Sequence, residues 1–196
     1  MSTALEQMHE IEPHIRIGRA RAGVLMIILS DALSVVAILA AGGYLSALNV
    51  LGQFKAAGEH APALLPGVLL AVFILLSGLA YYWWQRRVLA SAERSQRALF
   101  ILALIFMVAA LLSQIWIGRT LGFASPFHAY ASLVLLLTWY SAFHLVLTTL
   151  IGLLLLGRIL RGRLVERDYI VEVVGYWWYY TVIAGLLMLL FSMVIA

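Results

Sequence analysis

Apolar positions in this chain fall in long blocks rather than in a short alternating pattern. After a polar opening of 22 residues come five apolar stretches, at 23–45, 65–84, 98–117, 127–157 and 173–196, with short polar segments between them. A helix needs about 20 mostly apolar residues to cross the hydrocarbon core of a bilayer, and each stretch qualifies. The fourth is long enough to tilt or to extend beyond the bilayer. The pattern predicts an all-α fold: an integral membrane bundle of five transmembrane helices (23–196) behind a tail at 1–22. The first apolar stretch starts too late and runs too long for the core of a cleavable signal peptide. No internal repeat or low-complexity segment interrupts the series.

Composition narrows the class further. Of the 196 residues, 64% are hydrophobic and only 11% charged, with mean hydropathy +1.01. Soluble domains run nearer 45–50% apolar and about 25% charged. A water-soluble domain, a disordered chain and a nucleic-acid partner are all excluded. The pI near 9.6 takes its meaning from where the arginines stand. Arg16, Arg19 and Arg21 precede the first span. Arg86, Arg87, Arg94 and Arg97 lie between the second and third, and Arg158, Arg161, Arg163 and Arg167 between the fourth and fifth. Eleven of the thirteen basic residues thus share one side, leaving Lys55 and Arg119 on the other. The positive-inside rule places the N-terminus in the cytoplasm, or in the matrix of an organelle, and the C-terminus outside.

Aromatic residues gather at the arginine-rich side: Tyr81, Tyr82, Trp83 and Trp84 before Arg86, and the run Tyr176 to Tyr180 in the fifth span. Such rings collect at headgroup level while adjacent arginines reach lipid phosphates. Trp83, Trp84, Arg86, Trp177 and Trp178 are therefore lipid-interface candidates, as a general aromatic belt or as a phospholipid site.

Polar groups inside spans are costly and worth following. Asp31 stands alone in the first span, roughly 12 Å of helix rise past residue 23. A small-residue stripe, Ser30, Ser34, Ala37 and Ala41, runs beside it and would admit a close-packed helix. In the fourth span Thr138, Ser141, His144, Thr148 and Gly152 follow at intervals of three or four and share a face. His144 lies roughly 20 Å from residue 157, so pairing with Asp31 requires tilt or a bridging water. The two candidates are open to two readings, an interhelical hydrogen bond or a proton-handling pair. Gln114, near the end of the third span, reads as helix glue.

Several chemistries drop out. Without Cys there is no disulfide framework, thiolate nucleophile or Cys-ligated metal. His128 is the only histidine near His144 and lies on the same span, while His9, His14 and His60 lie in the tail or a loop, so no bis-His haem or copper centre assembles. HExxH, GxSxG and Walker A motifs are missing as well. The sequence predicts no catalytic site and no metal site within the chain.

Taken in order, the motifs resemble subunit III of the haem–copper terminal oxidases, in its short five-helix bacterial form. Leu25 to Asp31 is similar to that family's helix with a Ser–acid pair. Gln114-Ile115-Trp116 is similar to its Gln-x-x-Glu-Trp stretch, and Ser141-Ala142-Phe143-His144 to its Gly-Phe-His-x-x-His run. Glu172 to Trp177 is similar to its Glu followed by Tyr-Trp-His. The likeness covers nearly the whole chain after residue 22. Asp31 and His144 match, whereas Leu147 stands where the family has a second His, Trp178 where it has the His after Tyr-Trp, and Ile117 at the expected Glu. Thr181 lies near the position of an expected Asp.

The resemblance implies an accessory subunit that is no enzyme on its own and binds no cofactor, with haem and copper held by partner subunits. It would pack against oxidase subunit I, contact other oxidase subunits and phospholipid, stabilise the catalytic subunit and support proton uptake during aerobic electron transport. The site would be a bacterial plasma membrane. An accessory subunit of a nitric-oxide reductase and an independent proton-coupled carrier stand as alternatives.

Overall fold

The computed structural model describes residues 13–49, 52–56, 59–90, 97–122, 128–162 and 169–195. Five α-helices account for nearly all of them: α1 (Pro13–Ala47), α2 (Leu64–Ala90), α3 (Arg97–Thr120), α4 (Ala129–Leu160) and α5 (Tyr169–Val194). All five are long and apolar enough to span a membrane, and the described residues contain no strand. Helices follow from the solvent: lipid offers no hydrogen bonds, so a spanning backbone must satisfy its own. Arg94, Arg163 and Arg167, the tail residues 1–12 and the expected start of the fourth span at 127 lie outside the described residues.

The helices are longer than the apolar stretches that announce them. The first begins at Pro13 and carries Arg19 and Arg21 on its opening turns, and the fourth continues past residue 157 to Leu160. Backbone bonding propagates a helix once nucleated, so a polar turn can extend it past the hydrocarbon boundary.

Helices α2, α3, α4 and α5 close a ring, each packing on two neighbours, whereas α1 lies outside it against α5 and, more lightly, α4. In each ring helix 39% of the most apolar window is buried; in α1 the figure is 6%. The ring is locked by aromatic stacking and close helix approach. Tyr81 of α2 stacks on Trp178 of α5 with centroids 4.6 Å apart, and Trp84 packs on Phe100 of α3, also at 4.6 Å. Gly152 lets α4 pass against Leu104 and Trp178, where a Cβ would come within 2.8 Å of the leucine methyl. Small residues at such crossings are how membrane helices gain van der Waals contact.

Several polar groups inside the ring are paired across helices. Ser77 donates to the Ala103 carbonyl at 2.8 Å and accepts from the Trp178 indole N–H at 3.1 Å, joining α2, α3 and α5. Tyr81 donates to the Val171 carbonyl at 2.8 Å. At the far end the α1–α2 connector caps α4: the Tyr130 N–H, one of the first-turn donors a helix leaves unpaired, reaches the Phe54 carbonyl at 3.0 Å.

Candidate functional site

Asp31 is the point where α1 is fastened to the ring. Its Oδ1 accepts the Tyr140 hydroxyl at 2.5 Å, and its Oδ2 accepts the Tyr180 hydroxyl and lies 2.6 Å from His144 Nε2. Three helices contribute: α1 the acid, α4 Tyr140 and His144 one turn apart, and α5 Tyr180. The His144 side chain is 1% exposed and that of Asp31 19%. Trp177 stacks on the imidazole, with centroids 5.8 Å apart and planes 13° from parallel, and Tyr140 meets it edge-on at 4.8 Å.

The hydrogen-bond partners fix much of the proton inventory. His144 Nδ1 lies 2.8 Å from the Tyr140 carbonyl, which can only accept, so Nδ1 carries a hydrogen. The 2.6 Å contact between Nε2 and Oδ2 then holds one proton, on either side. The pair is acid and neutral imidazole, or carboxylate and imidazolium, and its net charge is zero in both forms. Neutrality suits a membrane interior, where an uncompensated charge is expensive. The two tyrosine hydroxyls also give the carboxylate two donors if that proton leaves.

The expected depth mismatch between Asp31 and His144 disappears for a simple reason. Depth counted from the apolar boundaries omitted the polar turns. Counted from the helix ends, Asp31 is roughly 27 Å along α1 from Pro13 and His144 roughly 24 Å along α4 from Leu160. No bridging water is needed.

The fourth-span seam is buried throughout: Thr138, Ser141, His144 and Thr148 all face protein. Its members do not form one chain. The Trp177 N–H donates to Thr148 Oγ1 at 3.0 Å, Thr148 meets Thr181 at 2.7 Å, and Thr181 donates back to the Trp177 carbonyl at 3.0 Å. That closed loop welds α4 to α5 below the imidazole. Gln114 donates from Nε2 to the Thr138 carbonyl at 2.9 Å, which joins α3 to α4 away from Asp31.

Three lipid-interface candidates need correction. Trp84 is 1% exposed, Trp177 7% and Trp178 0%; all three are packed among helices rather than turned to lipid. Consecutive residues on a helix point about 100° apart, so an aromatic run always sends some rings inward. Trp83 does lie on the outside, as does Arg86, whose guanidinium donates to Tyr82 at 3.0 Å.

Sequence reasoning missed Tyr140 and Tyr180 as partners of the acid. Tyr140 carried a signal, since it stands one turn from His144 on the same face, while Tyr180 was hidden in the aromatic run. The Arg21–Glu172 ion pair at 2.5 Å, a second tie between α1 and α5, was also missed. Among the described residues no group of three or more His, Cys, Asp and Glu side chains is placed to hold a metal. No protein-family model matches the chain, and no curated protein sequence matches it.

Proposed function

We propose that this chain is a non-catalytic accessory subunit III of a respiratory haem–copper oxidase in a bacterial plasma membrane, with its N-terminus in the cytoplasm. The observation that carries the reading is the direct meeting of Asp31 and His144 at 2.6 Å, 113 positions apart in sequence. These are the two residues at which the resemblance matches the family's intramembrane acid and histidine. A second feature supports it: Ser30, Ser34, Ala37 and Ala41 are all exposed on α1, a surface on which a subunit I helix can pack closely. In this reading the chain supplies a docking face, and the Asp31–His144 pair holds one proton beside it, ready to exchange with a proton path in the partner. Haem and copper chemistry belongs to the partner subunits.

The test is a mild-detergent pull-down of the tagged chain followed by a reduced-minus-oxidised optical spectrum. Oxidase haem bands with O2 consumption are expected. Nitric-oxide reduction without O2 consumption would reassign the partner. A colourless, monodisperse protein without partners would overturn the subunit reading and leave a proton-coupled carrier in its place.

A further inference from the structure

A second polar site lies inside the ring, separate from Asp31 and independent of the reading above. A small cavity of about 10 Å³ is bounded by Gln114 of α3, Leu137 and Ser141 of α4, and Met188 and Ser192 of α5. Gln114 is 4% exposed and Ser141 3%. Neither Gln114 Oε1 nor Ser141 Oγ has a hydrogen-bond partner among the described residues. The orientation of the Gln114 amide is set by its other end: the Thr138 carbonyl only accepts, so the nitrogen faces Thr138 and the oxygen is turned elsewhere. A buried polar atom left unsatisfied costs about 1–3 kcal/mol, and the two residues that carry these atoms line the same small space.

The chemistry of the walls selects the occupant. An amide oxygen only accepts, so the occupant must donate a hydrogen, whereas Ser141 can give or receive one. The Ser192 hydroxyl donates to the Leu189 carbonyl at 2.7 Å, and its oxygen keeps acceptor capacity. No acidic side chain lines the cavity, so a cation would sit uncompensated in the membrane interior. A water needs about 10–15 Å³ and two to four polar partners, and the cavity supplies both. We infer that this cavity binds a single ordered water molecule that donates to Gln114 Oε1 and shares a hydrogen bond with Ser141 Oγ. The water is a cross-link between α3 and α4, one turn along α4 from His144 and not bonded to the Asp31 cluster.

The experiment uses the intact chain, with whatever subunits co-purify, in lipid nanodiscs. A density map that shows ordered water is expected to contain a peak about 2.7–3.2 Å from both Gln114 Oε1 and Ser141 Oγ; a cavity without density overturns the inference. Ser141→Ala is expected to lower the unfolding midpoint by about 2–4 °C. An unchanged or raised midpoint overturns it, because deleting an orphaned hydroxyl from a dry core relieves a penalty. If Ser141→Ala fails to fold, the wild-type map decides. Occupancy that follows sodium concentration would identify an ion and also overturn the proposal.

Discussion

Helix α1 and the four-helix ring solve the same problem in different ways. The ring helices bury apolar and aromatic surface against one another, and polar groups such as Thr148, Thr181 and Trp177 close a short loop within that packing. Helix α1 buries little: among its described residues Val35 and Gly42 are the buried positions, and Leu25, Met26, Ile27, Leu29 and Leu33 face outward. It is held by discrete ties, the Asp31 cluster, the Arg21–Glu172 pair and the close approach of Gly42 to Leu133 and Phe191. In lipid, apolar side chains lose little by facing acyl chains, so association depends on packing quality and hydrogen bonds. A helix joined by a few directed bonds can therefore be released or re-docked without dismantling the rest.

Trp178→Ala gives the largest expected effect, since it removes the stack on Tyr81, the surface beneath Gly152 and the donor to Ser77. A loss of about 3 kcal/mol or more is expected, lowering the unfolding midpoint by roughly 6–12 °C with all four ring helices melting together in circular dichroism. Unchanged cooperativity and midpoint would show that the ring does not depend on this centre. Asp31→Ala comes next, at about 1–3 kcal/mol, because Tyr140, Tyr180 and His144 each lose a partner. Here the effect should be local: amide hydrogen exchange rises across α1 while α2 to α5 keep their protection. Global unfolding by Asp31→Ala would erase the distinction between the two regions. Asp31→Asn sharpens it, because the Asn amide can donate to a neutral His144 Nε2; α1 protection should largely return while the shared proton is lost. Smallest is Arg21→Ala. Its pair with Glu172 is partly exposed, 46% and 28%, so about 0.2–1 kcal/mol is expected, measured as a midpoint difference that fades with added salt. A salt-independent loss would mean that Arg21 acts through packing.

Much of this architecture was legible in the residues, and the illegible part has a physical cause. Five spans follow from block hydropathy because lipid imposes one length scale on every crossing. Asp31 and His144 stood out because ionisable groups are rare in such blocks. Which aromatic rings face inward did not follow, because Trp83 and Trp84 have the same composition signal and differ only in azimuth around α2. The partners of Asp31 were hidden for a related reason. Tyr180 belongs to a run of five aromatics at 176–180, and only the rotation of α5 decides which of them reaches the acid. The orphaned amide oxygen of Gln114 depends on a three-helix junction that no local pattern encodes.

The span of sequence between Asp31 and Tyr180 has a consequence for biosynthesis. The two residues are 149 positions apart, and chains grow at about 5–20 residues per second, so the acid enters the membrane roughly 7–30 s before its last partner exists. During that interval the first helix carries a group whose insertion costs about 2.5–3.5 kcal/mol at mid-membrane, offset by the leucines, isoleucines and valines around it. The apolar face that looks unused in the finished fold keeps the newborn helix in the bilayer. The acid then becomes a timed latch, closing fully only when Tyr180 has been made.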